Sequence, residues 1–301
     1  MNNTNRVKRI GVIYDGNYLY HVSNYYNYNH SRKSRINISG LHEFIRHKVA
    51  ELEDQSFGLC QIVDAHYFRT RLNAKEASQK GNLLYYDRVF DDILMSEGVT
   101  THYIPLRTLQ GQMEDKGIEV WLALEAFELS LHKAFDVLVI IAGDEDYVAL
   151  ARKINTLGTR VMLLSWDFKY TDNSGNERMV RTSQDLLDVV TYPIEMNEVI
   201  DDPDNRKDPV VNNLFVAHKH VASRLPKYVE DEGEGYTTSE VLSIKEGYGF
   251  IHFPPDNLFF HFSNLHGIDF NDLRPGDPVR FRIVLNEDGR EVATDVEFID
   301  E

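Results

Sequence analysis

Val137-Leu138-Val139-Ile140-Ile141-Ala142-Gly143-Asp144-Glu145-Asp146 is the stretch whose reading decides the fold of this chain. Its first five residues are all large and apolar, with none of the alternation a half-exposed strand requires. Such a run reads as a parallel strand buried on both faces. A second run, Ile10-Gly11-Val12-Ile13-Tyr14, ends at Asp15. Working outward, the pattern predicts strands at 9–14, 62–68, 99–104, 136–142 and 160–164. Between and after them it predicts helices at 17–28, 40–53, 75–97, 116–133 and 146–157, with Gly158 as a helix stop. Strand and helix alternate up to about residue 190, which implies an α/β domain with a doubly wound, mainly parallel sheet. Ligands of such sheets bind outside the carboxyl ends of the strands, near the reversal of strand order. Asp15, Asp144 and Asp146 all fall at such ends.

A fourth acid, Glu119, comes from a helix. On a wheel of about 100° per residue, Ile118, Leu122 and Leu129 form one flank of an apolar arc. Val120, Leu124, Phe127 and Leu131 form the other flank. Glu119, Ala123, Ala126 and Ser130 run between them, so Glu119 is expected to face the sheet. The competing reading is a helix-start glutamate favoured by the dipole or paired with Lys116.

Composition restricts the class. Hydrophobic content of 42% with 27% charged residues is that of an ordinary globular protein, long enough at 301 residues for two domains. The single Cys60 excludes an intrachain disulfide framework and a cysteine zinc cluster, and makes a reducing compartment the default. Met1–Arg9 lacks the apolar core of a signal peptide, and no run approaches the ~20 apolar residues of a membrane span. The expectation is a cytoplasmic protein that does not engage membranes. The net charge of −16 argues against broad electrostatic capture of nucleic acid. Local phosphate contacts remain open at Arg32, Lys33, Arg35, Arg69, Arg71, Lys75 and Lys80. The Tyr/Asn-rich segment Asn24–His30 reads either as packing at a helix end or as a surface for base stacking.

The polar runs Asp201-Asp202-Pro203-Asp204 and Glu230-Asp231-Glu232-Gly233-Glu234-Gly235 predict a linker over 196–235, with a short helix inside Asn213–Lys227. The first domain is then 1–195 and the second 236–301. Alternating strands punctuated by Gly and Pro-Gly from Tyr236 onward predict a small β barrel.

Ile13-Tyr14-Asp15-Gly16-Asn17, Lys116-Gly117-Ile118-Glu119 and Ala142-Gly143-Asp144-Glu145-Asp146-Tyr147, in that order and spacing, resemble the NYN domain, the bacterial branch of the PIN-like nuclease fold. The resemblance implies a divalent-metal site, Mg²⁺ or Mn²⁺, built on Asp15, Glu119, Asp144 and Asp146, with Asn17 orienting water or phosphate. It also implies cleavage of RNA. Two positions depart from the family pattern. Glu119 stands where the family carries Asp, and Tyr18 stands where the family Asn typically lies.

Residues 236–301 resemble a cold-shock domain, an oligonucleotide-binding (OB-fold) barrel. The matching segments are Lys245-Glu246-Gly247-Tyr248-Gly249-Phe250-Ile251 and Leu258-Phe259-Phe260-His261-Phe262. Gly276-Asp277-Pro278-Val279 and the stretch from Gly289 to Val296 match the later strands. The resemblance implies binding of single-stranded RNA, or DNA, through Tyr248, Phe250, Phe259, His261 and Lys245. Phe253 and Phe262 read as core. Val241 replaces a family Trp and Glu246 a family basic residue. Five Lys/Arg against thirteen Asp/Glu leave this segment at −8, so binding is expected to lean on stacking rather than on phosphate contacts.

Two function classes follow. One is a metal-dependent endoribonuclease acting on single-stranded RNA, with the barrel holding the strand. The other is a non-catalytic RNA-binding or scaffold protein with a vestigial metal pocket, for which Glu119 and the acidic barrel speak. A Toprim-like or phosphatase-like phosphoryl-transfer enzyme ranks below both, because the haloacid type needs an Asp where Asn17 stands.

Overall fold

The computed structural model describes residues 6–80, 83–109, 112–114, 117–171, 177–217, 229–231, 235–245, 247–253, 257–266, 268, 270, 273–286 and 291–299. Lys116, Glu246, Gly289 and the loop at 172–176 lie outside the described residues. The chain divides into two compact units between residues 217 and 218.

The first unit runs β1 Lys8–Asp15, α1 Gly16–Asn24, a π turn Tyr25–Asn29, α2 Ile38–Leu52 and β2 Cys60–Arg71. It continues with α3 Ala74–Ala77, α4 Leu83–Ser96, β3 Thr100–Pro105, the hairpin β4 Arg107–Leu109 and β5 Gln112–Glu114, and α5 Ile118–Lys133. Then come β6 Val137–Ile141, a 3₁₀ turn Glu145–Tyr147, α6 Val148–Thr156, β7 Arg160–Ser165, the hairpin β8 Phe168–Thr171 and β9 Glu177–Val180, and α7 Gln184–Leu187. β10 Tyr192–Glu195, α8 Met196–Asp201 and α9 Pro209–Asn212 complete it.

Six strands form one sheet in the order β10-β7-β6-β1-β2-β3, with every pairing parallel. The expected strands are all present. β10 is an addition, too short to register as an apolar run, and its Pro193 is tolerated because β10 is an edge. The period-2 alternation of the strands divides the core between the two faces. Val12, Val139, Ile141 and Leu164 pack on one side with α1 and α2. Ile13, Leu138, Ile140 and Leu163 pack on the other with α5, α6 and α7.

Two expectations are corrected here. On α5, Ile118, Leu122, Ala126 and Ser130 are buried as the wheel requires, but Val120, Leu124 and Leu131 are exposed. The sheet accepts only one flank of the apolar arc. The segment after Glu195 is not a free linker, since Met196, Ile200, Val211, Leu214 and Phe215 are all buried in the first face's core. Widely spaced apolar residues between acidic ones sufficed to dock it, and Asp208 caps α9 through the Val210 amide at 2.8 Å. The short helix α9 at Pro209–Asn212 precedes the one expected within 213–227, of which residues 218–227 lie outside the described residues. The Tyr/Asn-rich segment serves this docking. Tyr26 is buried with its ring edge on Phe215 at 5.1 Å, and Tyr25 stacks on Phe168 at 4.3 Å.

In the second unit, β11 Val229–Asp231, β12 Tyr236–Ile244, β13 Tyr248–Ile251, β14 Leu258–His261, β15 Pro278–Leu285 and β16 Glu291–Phe298 form one sheet. It closes into a barrel by the pairing of β12 with β15. Val241, Ile251, Phe260, Phe281 and Val296 fill it. Phe253 packs against that core as expected. Phe262 is instead half-buried against the His261 ring at 4.2 Å. Among the described residues no helix is long and apolar enough to cross a membrane.

Leu214 tests the docking of the segment after Glu195. It is fully buried, and truncating a buried Leu to Ala costs about 2–5 kcal/mol. Urea unfolding of Leu214→Ala should show a loss of that size in the first unit. An unchanged midpoint would mean the segment is only a tether.

Candidate active site and nucleic-acid interface

β1 and β6 are neighbours, and their last paired residues are Tyr14 and Ile141. Asp15 follows one residue later and Asp144 three residues after Ile141. The helices that follow leave on opposite faces. Leu19 and Val22 of α1 join one core, and Leu150, Ala151 and Ile154 of α6 join the other. The divergence opens a cleft of about 360 Å³ lined by Asp15, Tyr18, Asp144 and Arg181, among others. This is the reversal of strand order at which doubly wound sheets bind ligands.

The Asp15 carboxylate is held from two sides. Its Oδ1 accepts the Tyr18 amide at 3.0 Å, capping α1, and its Oδ2 accepts the Tyr147 hydroxyl at 2.8 Å. Each carboxylate oxygen has a second lone pair, so these bonds fix Asp15 without using up its acceptor capacity. Asp144 is exposed and caps the 3₁₀ turn through the Asp146 amide at 3.1 Å. Glu119 is half-buried on the first turn of α5, which begins after Gly117 at φ 97°, a backbone conformation that favours glycine.

Tyr147 ties the acids together. Its phenol is pushed well above the usual tyrosine range, first by burial and then by the charges of Asp15, Glu119 and Asp144. Three of the four acids expected from the sequence therefore share one electrostatic neighbourhood. Asp146 is exposed and does not line the cleft. Asn17 does not line it either; its amide lies 3.0 Å from the Thr70 hydroxyl, toward β2. Among the described residues, no three Asp, Glu, His or Cys side chains converge closely enough to enclose a metal ion.

The expected phosphate contacts on the first unit serve largely other ends. Arg69 pairs with Asp87 and covers Tyr20, and Arg71 pairs with Asp91 and covers Tyr103. Arg32 bonds Asn212 at 2.7 Å, Lys33 bonds the Tyr28 carbonyl at 2.8 Å, and Arg35 bonds Asn24 at 3.1 Å. Lys75 and Lys80 are exposed.

On the barrel, Tyr248 pairs across strands with His261, and Phe250 with Phe259. Their neighbours Gly249, Ile251, Leu258 and Phe260 point inward, so alternation puts these four rings outside. The Tyr248 and Phe259 centroids lie 5.6 Å apart, and Phe250 meets Phe259 edge-on at 5.9 Å. All four are half-buried or exposed, as a stacking platform requires. Lys245 is exposed at the turn before Tyr248, its amide bonded to the Tyr248 carbonyl at 2.8 Å.

Residues 9–194 match the NYN domain and residues 237–299 the 'Cold-shock' DNA-binding domain. The chain belongs to the NYN domain family. No curated protein matches it. A crystal structure of a Vibrio parahaemolyticus protein of unknown function is similar at 16% identity, over 65% of this chain and 96% of that one. Its TM-score of 0.41 is too low to support a functional argument.

Within the NYN domain the structure accounts for Tyr18. Its hydroxyl donates to the Trp166 carbonyl at 3.1 Å and accepts the Trp166 amide at 2.6 Å, bridging α1 to the residue after β7. Its ring lies over Gly143, where a Cβ would come within 2.9 Å of it. Tyr147 and Arg181 escaped the sequence reading. Tyr147 was visible only as part of a motif, and Arg181 has no local signal at all.

Tyr147→Phe keeps the buried ring and removes the bond to Asp15. Hydrogen bonds to charged acceptors contribute about 1.5–3 kcal/mol, and the half-exposed Asp15 argues for the lower part of that range. Denaturant titration at neutral pH should show a loss near that lower value with the fold retained. A variant as stable as the native chain would mean the bond contributes nothing to holding Asp15.

Proposed function

We propose that this NYN protein is a divalent-metal-dependent endoribonuclease acting on single-stranded RNA, with its cold-shock barrel binding the strand. The observation that carries the proposal is the cleft at the reversal of strand order, lined by both Asp15 and Asp144 and backed by the charge of Glu119.

The donor set fits Mg²⁺ or Mn²⁺. Both prefer oxygen, and Mg²⁺ keeps several waters while using one or two carboxylates, so it needs no closed protein cage. Asp15 and Asp144 would hold the ion, directly or through water, and Asp146 lies two residues further along the 3₁₀ turn. When bound, such an ion acidifies a coordinated water and offsets charge at the phosphate. The chain's own residues supply the rest. Tyr147 and the Tyr18 amide fix Asp15 in place. Glu119 would serve as a ligand or take a proton from water, and its extra methylene relative to the family Asp would extend its reach. Asn17, bonded to Thr70, is the group that would orient water or phosphate at the edge of the site.

The barrel's contribution is stacking on Tyr248, Phe250, Phe259 and His261, with Lys245 beside them. At −8 it has little else to offer a polyanion. DNA would stack equally well, so strand chemistry is selected at the cleft. Cytoplasmic residence belongs to the same proposal, supported by the buried free thiol of Cys60.

A non-catalytic RNA-binding role is the second reading, favoured by the lack of three converging ligands among the described residues. Incubation with single-stranded RNA and Mn²⁺, Mg²⁺ or chelator separates the two. The proposal expects metal-dependent cleavage that Asp144→Asn abolishes with the fold intact. Equal cleavage by both proteins would assign the activity to a contaminant, and binding without cleavage would favour the second reading.

For the barrel, Phe259→Ala and His261→Ala should each weaken RNA binding by about 1–3 kcal/mol, with a shallow salt dependence. A steep salt slope untouched by either substitution would move the binding surface off the barrel.

A further inference from the structure

The cleft is acidic, and an RNA strand entering it meets like charge from Asp15, Asp144 and Glu145. Among the described residues that line it, Arg181 is the one cation. Unlike Arg69 and Arg71, it has no hydrogen-bond or ion-pair partner among the described residues, and its side chain is exposed.

Its backbone, in contrast, is pinned on the following side. The Thr182 amide and hydroxyl both donate to Asp167 Oδ1, at 2.7 and 2.8 Å. The Ser183 amide donates to the Gly143 carbonyl at 2.8 Å, joining this segment to the end of β6 one residue before Asp144. A guanidinium with no partner among the described residues, carried next to an anchored backbone on the lining of an acidic cleft, is available to an anion. Arginine's planar fork suits phosphate in particular. A second cleft of about 610 Å³ lies on the other side of Arg181, walled by Asp167, Asp188 and Glu195. That wall holds as many carboxylates as the first cleft, so what favours the Asp144 side is its place at the reversal of strand order, where doubly wound sheets bind their ligands.

We propose that Arg181 is the strand-positioning residue of this cleft, gripping an RNA phosphate next to the acids and determining that a polyanion is accepted there. The proposal rests on the nuclease reading for its substrate. It goes beyond that reading in assigning phosphate recognition to a residue outside the acid motifs.

The test uses the full chain, a fluorescein-labelled single-stranded RNA and Mn²⁺, comparing the native protein with Arg181→Ala, Arg181→Gln and Arg181→Lys. Loss of one charged contact should raise KM about tenfold in the Ala and Gln variants, with kcat changed much less and Lys restoring part of the loss. Binding measured in the Asp144→Asn background should lose about one unit of the log–log salt slope when Arg181 is neutralised. An unchanged KM and salt slope in a folded Gln variant would overturn the proposal. So would a fall in kcat alone, because that places Arg181 in the chemical step rather than in strand binding. If the native protein binds but does not cleave, the nuclease reading fails by itself, and the salt-slope comparison still decides the role of Arg181.

Discussion

The parallel pairing of β1 with β6 is the constraint on which everything else depends. It joins strands distant in sequence at the centre of the sheet and brings Tyr14 level with Ile141. The chains leaving that level turn to opposite faces because α1 and α6 bury their apolar sides in different cores. A gap must open between them, and the residues on its rim are those at or just beyond the end of each strand. Asp15 and Asp144 are on that rim for a topological reason, before any question of chemistry arises. Their helix-capping bonds explain their backbone roles but not their convergence, since either could cap its own element without meeting the other.

Most of this was legible in the sequence because uninterrupted apolar runs specify buried parallel strands, and strand ends in such sheets are the binding positions. The same logic missed β10, whose four residues include Pro193, and it misread 196–215 as a linker. There the acids of Asp201–Asp204 are conspicuous. The residues that dock the segment, from Met196 to Phe215, are too widely spaced to form a run. The wheel of α5 identified its apolar arc but not which flank meets the sheet, and Val120, Leu124 and Leu131 prove to be outside. Within the site, Tyr147 and Arg181 were hidden for different reasons. A tyrosine following an acidic motif reads as core, and the segment carrying Arg181 is brought to the cleft by bonds from Thr182 to Asp167 and from Ser183 to Gly143, which no local pattern encodes.

Electrostatics gives the two units different tasks. The NYN cleft concentrates negative charge on Asp15, Asp144 and Glu145, and such a site is unfavourable for RNA until cations balance it. A bound divalent ion and Arg181 would together provide that balance. The barrel is also acidic, and its outward face offers rings rather than charges. Stacking is tolerant of base identity, and binding built on it resists salt, so on the proposed function the barrel would hold strands in general and the cleft would decide what is cut. If the barrel holds the strand as proposed, carrying it on the same chain would raise its effective concentration at the cleft without any additional contact.

The central claim is that the acids at the strand-order reversal form a metal site, and titration of the full chain with Mn²⁺ followed by electron paramagnetic resonance tests it most directly. The account predicts a saturable Mn²⁺ site in the native protein that disappears in Asp15→Asn while the fold, read by circular dichroism, is unchanged. Saturable binding that persists in the folded Asp15→Asn chain would place the ion elsewhere and contradict the account.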